Sequence, residues 1–179
     1  MKIVKYTLFI ILGIIGLLLI VALFVDGEIQ YEKSIEINAP IEKVWENTNS
    51  MEDINRWSPW IDRDPGMHQS ITGAPGTIGQ SHEWASAKDD VGQGMQTITA
   101  IQPPNEIQTE IVFLTPYESR AIAYVKLSPI ENGTQAIWGF NSVVPYPWRL
   151  SNLFMDMGTM LDPDYTKGLE RLKSLSESN

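Results

Sequence analysis

The chain has 179 residues, no cysteine and a formal net charge of −9. Without Lys2 and Lys5, which precede a long apolar segment, the remainder carries 11 Lys and Arg against 22 Asp and Glu, a net charge of −11. This balance excludes a nucleic-acid partner, because phosphate binding needs a basic surface. The missing cysteines exclude a disulfide framework, a thiol nucleophile and a thiolate metal site.

Residues 6–25 form an uncharged apolar segment that is long enough, as a helix, to cross a hydrocarbon core of roughly 30 Å. Lys2 and Lys5 precede it and acidic residues follow it, so the positive-inside rule places residues 1–5 in the cytoplasm and the rest of the chain outside. We therefore predict a single-pass membrane protein with an uncleaved signal anchor. A cleaved signal peptide is the alternative, although the segment is longer than the usual apolar region and has no A-x-A site.

Residues 30–176 are predicted to form one domain, joined to the anchor by a short linker at 26–29 and followed by a tail at 177–179. This length suffices for a substantial core. Alternating apolar and polar residues, separated by turn sequences, predict an antiparallel sheet. The predicted strands are Ser34–Ile37, His68–Ile71, Gly79–Ser86, Met95–Ile101, Glu106–Phe113, Ser119–Leu127 and Thr134–Val143.

Helices are predicted on both sides of the sheet sequences. Asn38 is a candidate N-cap for a first short helix, and Met51–Trp57 form a second helical or turn segment. An apolar stripe within residues 150–161 indicates a third helix, and Asp162 followed by Pro163 is typical of the start of a last helix. A sheet with one apolar face and an amphipathic helix bury these surfaces against each other, which makes the domain α+β.

Several short strings, in this order of elements, resemble one protein superfamily. They are Ile35–Pro40 with Val44-Trp45, Trp57–Trp60, Gly79–Trp84, Gly92–Gly94, Thr134 with Trp138, and Gly168–Lys173. The chain after the anchor resembles the SRPBCC group, which comprises START-like polyketide cyclase/dehydrase and lipid-transport families. The resemblance implies a helix-grip fold: a curved antiparallel sheet wrapped around a long C-terminal helix, with a cavity between them for a hydrophobic ligand. It transfers no catalytic residues, because the group has no common catalytic set.

Strand alternation predicts which side chains face the interior, although a shift of one residue would invert each set. On the last strand, Trp138 and Phe140 share the inner face. The other predicted inward sets are Ala121, Ala123, Val125 and Leu127; Ile107, Thr109, Ile111 and Phe113; and Met95, Thr97, Thr99 and Ile101. Trp138 and Phe140 are therefore candidate ligand-binding residues.

Five further residues are candidates for ligand binding. His82 and Trp84 share a strand face, and His82 is either a polar group of the cavity or an ordinary strand histidine with a satisfied hydrogen bond. Trp57 and Trp60 flank a rigid Ser-Pro pair, where they either roof the cavity entrance or pack the junction between helix and sheet. Met157 is either a pliable pocket wall or plain core.

The function predicted from the sequence is a membrane-anchored extracytoplasmic domain that binds a small hydrophobic molecule or a lipid, without metal or cofactor. One alternative is an enzyme of the cyclase/dehydrase type that uses His82 with Glu110 or Asp90 as acid/base groups. Another alternative is an interaction module that binds a protein partner in an envelope complex. The sequence indicates no convergent cluster of ionisable residues, so the catalytic residues are unknown and enzymatic activity is left open.

Overall fold

The computed structural model describes residues 2–178. Its first helix, α1, spans Lys2–Ala22, and within it Ile3–Ala22 are long and apolar enough to cross a membrane, by length and composition. Nearly all of the large side chains in this stretch are exposed, as lipid-facing side chains would be. The helix is therefore consistent with the predicted single-pass anchor.

Seven antiparallel strands form one sheet in the order β1-β7-β6-β5-β4-β3-β2. The strands are β1 (Glu28–Ile37), β2 (His68–Thr72), β3 (Ser81–Ala85), β4 (Gln93–Gln102), β5 (Glu106–Thr115), β6 (Ser119–Ile130) and β7 (Gly133–Val143). The structure confirms all seven predicted strands, although β1 begins at Glu28 rather than Ser34. The earlier part of β1 was missed because charged Glu32 and Lys33 stand beside each other within its alternating pattern.

Two short helices, α2 (Ile41–Glu46) and α3 (Met51–Trp57), follow β1. The bounds of α3 match the prediction, and the Ser50 hydroxyl caps it by accepting a hydrogen bond from the Asp53 amide at 3.2 Å. The predicted Asn38 cap is wrong, because Pro40 occupies the N-cap position of α2.

The C-terminal helix, α4, spans Met157–Glu177 without a break, so the predicted start at Asp162 is wrong. Asp156 is its N-cap and accepts hydrogen bonds from the Gly158 and Thr159 amides. Pro163 lies inside the helix, where its ring removes one backbone donor. The separate third helix predicted within residues 150–161 is not formed as one element: a 3-10 helix covers Trp148–Leu153, and residues 157–161 are the first part of α4.

The inner face of the sheet follows the predicted alternation on β5 and β6, but not on β4. Ile98 is 1 % exposed, and Gln96 donates to the Thr109 hydroxyl on the inner face at 2.8 Å. The register between β4 and β5 shifts between Ile98 and Ala100, which is where a β-bulge changes the parity of a strand. Of the set predicted to face inward, Met95, Thr97 and Thr99 were therefore assigned to the wrong face, and Ile101 to the correct one.

The end of the sheet where β1 begins lies next to the end of α1. Glu28 pairs with Val143, so the start of β1 and the end of β7 are together. Beyond them, the Val144 amide donates to the Gly27 carbonyl at 2.8 Å, and the Tyr146 hydroxyl donates to the Leu19 carbonyl at 3.3 Å. The connection from β7 to α4 therefore packs against the last turn of the candidate membrane span.

Candidate functional site

Four aromatic side chains fill the space between the sheet and the middle of α4, and we call them the aromatic core: Trp57, Trp60, Trp138 and Tyr165. Trp57 is fully buried and Trp138 is 6 % exposed. The Trp138 ring centroid lies 4.8 Å from that of Trp57, 5.0 Å from that of Trp60 and 4.2 Å from that of Tyr165. Phe140 adjoins this group, 6.3 Å from Tyr165. Such distances are those of aromatic rings in direct contact, so at this level α4 and the sheet are joined by packed rings.

His82 and Trp84 share one face of β3, as the alternation predicts, and this is the inner face. His82 is buried, and its Nε2 is 3.0 Å from the amide oxygen of Gln69. Burial lowers the pKa of His82, so the imidazole is neutral at neutral pH and can donate to this oxygen. Trp84 is half-buried, with its ring centroid 5.9 Å from that of Phe113. His82 is thus a buried strand histidine with a hydrogen-bond partner.

The acid/base groups of the enzyme hypothesis are separated in the fold. Glu110 alternates with the inward Thr109 and Ile111, and it receives a hydrogen bond from Arg120 at 2.8 Å. Asp90 is exposed in the turn between β3 and β4. Neither carboxylate faces His82 across the inner side of the sheet, so this arrangement offers no acid/base pair.

An open groove of about 870 Å³ lies where the start of β1 meets the N-terminal end of α4, and we call it the β1–α4 groove. Its volume falls within the range of about 300–1,000 Å³ that is typical of small-molecule sites. Its apolar lining comes from Ile29 on β1, from α4 and from the connection before α4. The apolar residues are Ile29, Leu153, Phe154, Met155, Met157 and Pro163.

One side of the β1–α4 groove is polar and is organised by Asp162. Lys33 donates to Asp162 Oδ1 at 2.6 Å, and the Tyr31 hydroxyl donates to the same oxygen at 2.6 Å. These two bonds, that from Lys33 first, lower the pKa of Asp162 and keep it ionised. Burial, followed by the bond to Asp162, raises the pKa of Tyr31 to about 12, so its hydroxyl stays protonated. The three side chains tie α4 to β1 and fix an ion pair on this side of the groove.

A second carboxylate, that of Asp156, lies in the β1–α4 groove at the first turn of α4. Its hydrogen bonds from the hydroxyl and amide of Thr159 and the amide of Gly158 lower its pKa. Within residues 2–178, no group of three or more His, Asp or Glu side chains is placed to hold a metal ion. The groove thus combines an apolar wall with a side that carries carboxylates.

A family model described as polyketide cyclase/dehydrase and lipid transport matches residues 28–177. The chain belongs to this family. The matched range contains the whole sheet, α2 to α4 and the β1–α4 groove, and it begins after α1. Membership confirms the superfamily that the sequence strings resembled, and α1 is an addition outside the matched range. None of the curated proteins matches the sequence significantly.

Solved structures share the fold of this family member at low sequence identity. A protein from Rhizobium leguminosarum has a TM-score of 0.58 and 17 % identity, over 84 % of this chain and 95 % of that one. The di-domain ARO/CYC protein StfQ of the steffimycin biosynthetic pathway has a TM-score of 0.59 and 13 % identity, over 84 % of this chain and 51 % of that one. Ara h 8.0201 has a TM-score of 0.56 and 16 % identity, over 86 % of this chain and 100 % of that one. The predicted α+β helix-grip fold is confirmed.

The structure brings together only part of the predicted ligand-binding set. Met157 lines the β1–α4 groove. Trp57, Trp60, Trp138 and Phe140 are in or beside the aromatic core, and His82 and Trp84 are on β3. Ile29 and Tyr31 were not predicted as lining residues because β1 begins before the predicted Ser34, and Asp162 was not because Asp162-Pro163 resembles a helix start. Ile29, Tyr31, Lys33 and Ile35 occupy every second position of β1. This period-two spacing would have identified Ile29 and Tyr31 as residues on the inner face of the sheet.

Proposed function

We propose that α1 anchors the protein in a membrane, with its domain outside the cytoplasm, and that the domain binds a small hydrophobic molecule or a lipid between the sheet and α4. The observation that supports this proposal is the β1–α4 groove, which has apolar walls and lies at the end of the sheet next to α1. The lipid-transport description of the family agrees with a ligand of this kind.

Desolvation would supply the binding free energy. Apolar surface transferred from water contributes about 25 cal/mol per Å², so about 200 Å² of ligand surface buried in the groove would contribute about 5 kcal/mol. Lost translational and rotational freedom subtracts from this sum, so the net affinity is smaller. Leu153, Met155 and Met157 are the side chains that such a ligand would cover, and methionine adapts to ligands of different shape.

The polar side of the groove would select among hydrophobic ligands. Glu28, Asp156 and Asp162 all lie on its lining, whereas Lys33 is held by Asp162. Lys33 compensates the charge of Asp162, so Glu28 and Asp156 give the lining a net negative charge, which would repel a ligand with an ionised carboxylate at its polar end. We therefore propose that the ligand has a neutral, zwitterionic or cationic polar end, such as that of a diacylglycerol or a phosphatidylcholine.

The proposal is tested by mass spectrometry of the full chain, purified in detergent from membranes, under native conditions. Met157→Trp fills the groove, and Met160→Trp is the matched control, because Met160 is on the same helix, exposed and outside the lining. We expect the wild type and Met160→Trp to retain a bound molecule and Met157→Trp to retain at most about a tenth as much, equivalent to about 1.4 kcal/mol. Equal retention by both variants, with unchanged circular dichroism, or an empty wild type would refute binding in this groove.

A further inference from the structure

Residues 143–155, which we call the membrane-proximal segment, expose an unusual number of large apolar side chains. Trp148 is 73 % exposed and Phe154 is 86 % exposed, and Tyr146, Leu153 and Met155 are exposed as well. The segment contains no acidic residue, and its one charged residue is Arg149. The rest of the domain is strongly acidic, so this surface differs from its surroundings in both hydrophobicity and charge. Contiguous exposed apolar patches usually mark binding surfaces.

The membrane-proximal segment is attached to the end of the candidate membrane span. The Tyr146 hydroxyl donates to the Leu19 carbonyl, which belongs to the last turns of α1. The Asn152 side chain donates to the Asp26 carbonyl at 3.1 Å, just beyond α1. If α1 crosses a bilayer, these bonds hold the segment at the height where hydrocarbon meets headgroups.

We infer that the membrane-proximal segment lies in the interfacial layer of the bilayer that α1 spans, with Trp148 and Phe154 at the level of the headgroups. This inference rests on the proposed membrane anchoring. Trp and Tyr side chains concentrate in this layer because their rings are apolar and their N–H or O–H groups are polar. Arg149 is half-buried, its Nε is enclosed without a hydrogen-bond partner, and it makes no ion pair within residues 2–178, so no acidic side chain offsets its positive charge on this face. An acidic domain needs such a neutral or basic face to approach anionic lipid.

The position of the segment also identifies the source of the ligand. Leu153, Phe154 and Met155 belong both to the membrane-proximal segment and to the wall of the β1–α4 groove. If these side chains are in the interfacial layer, the groove opens onto the lipid surface. A membrane lipid can then enter the groove without its apolar part crossing water, which makes lipids of the adjacent leaflet the substrate class of this site.

Site-directed fluorescence in vesicles tests the inference, because the chain has no native cysteine. The full chain is given a single cysteine by Phe154→Cys, labelled with an environment-sensitive dye and reconstituted in phosphatidylcholine vesicles with a minority of phosphatidylglycerol. Ile78→Cys is the matched control. Ile78 is an apolar residue that is 67 % exposed, as Phe154 is exposed, but it lies in the loop between β2 and β3. This loop contacts the start of α3 through Gln80 and is not part of the membrane-proximal segment. Leu12→Cys, in the middle of α1, reports whether the anchor is in the membrane.

We expect nitroxide-bearing lipids to quench the label at position 154 several-fold more than the label at position 78, and aqueous iodide to show the reverse order. Equal quenching at 154 and 78, with the label at 12 quenched by lipid, would overturn the interfacial inference while the anchor stands. A label at 154 protected from both quenchers would also overturn it and indicate a protein partner on this surface. A label at 12 that lipids do not quench would refute the anchoring and the inference with it, independently of retention by Met157→Trp.

Discussion

The two ends of α4 contact the rest of the domain in different ways. After Pro163, the side chains of Leu169, Leu172 and Tyr165, the last a member of the aromatic core, are almost fully buried between α4 and the sheet. Before Pro163, Met157 is half-buried and Met160 is 57 % exposed, and the β1–α4 groove replaces the packed interior. We call the part of α4 after Pro163, which is packed within the protein, the closed part. We call the part before Pro163, which borders the groove, the open part.

This difference indicates which residues carry stability and which, under the proposed function, are left for a ligand. In the closed part the apolar contacts are made within the protein, so they contribute to the free energy of unfolding whether or not a ligand is present. In the open part the apolar side chains remain in contact with solvent, so their burial contributes when another molecule covers them. Asp162, bound by Tyr31 and Lys33, stands between the two parts and holds the helix to β1.

Among the substitutions that test this difference, Trp138→Ala is expected to lower the free energy of unfolding the most. Removing the indole leaves a cavity among Trp57, Trp60 and Tyr165, and large-to-small changes of aromatic residues in cores cost about 3–5 kcal/mol. We expect a loss of this size in the free energy of unfolding, measured by denaturant titration of the full chain in detergent. Met157→Ala is the control in the open part, and it should cost no more than about 1 kcal/mol. A larger loss for Met157→Ala than for Trp138→Ala would contradict the assignment of closed and open parts.

Gly168→Ala gives an intermediate effect and tests how tightly α4 fits the aromatic core. A Cβ at this position would lie 2.6 Å from the Trp138 ring and 3.2 Å from Pro59. Alanine normally stabilises a helix by about 1 kcal/mol relative to glycine, but overpacking costs about 1–3 kcal/mol. We expect a net decrease in thermal stability, whereas Glu170→Ala, on the exposed side of the same helix, should change it little. A stabilised Gly168→Ala variant would show that the core accommodates a methyl group and is not closely packed.

The sequence predicted the sheet well because period-two alternation is a local property. β6 shows this most clearly, with Ala121, Ala123, Val125 and Leu127 all buried as expected. On β4 the same argument failed because the bulge between Ile98 and Ala100 changes which side chains point inward. A bulge depends on pairing with β5, and a strand pattern alone does not contain that information.

The candidate site was harder to predict than the fold because its residues come from distant parts of the chain. Asp162 meets Tyr31 and Lys33 across about 130 positions, and Asp-Pro has a strong local interpretation as a helix start. Trp57, Trp60 and Trp138 were predicted to be either ligand-binding or packing residues, because residue type alone does not distinguish a ring that packs the interior from one that lines a cavity. Trp57 and Trp138 pack against each other, and this packing depends on tertiary contacts that the sequence pattern does not contain.

The smallest expected effect is on the pH dependence of the free energy of unfolding. His82 in the buried interior and Asp162 in the groove should each affect it in a different pH range. Burial lowers the pKa of His82, so between that lowered value and the ordinary value of about 6.5 the unfolded chain binds more protons than the folded chain. The free energy of unfolding therefore falls as the pH decreases through this window, and above it His82 contributes no slope. His82→Gln should remove this part of the slope, measured by denaturant titration at a series of pH values.

Asp162→Asn is the matched control for the groove, because its effect belongs to a different pH range. The bonds from Lys33 and Tyr31 lower the pKa of Asp162, so the stability they add is present above about 3.8 and is lost as the pH falls through the lowered pKa. Asp162→Asn should leave the His82 window unchanged and alter the profile only at more acidic pH. If Asp162→Asn removed the slope that sets in below about pH 6.5 and His82→Gln did not, the titrating group of the interior would have been misidentified.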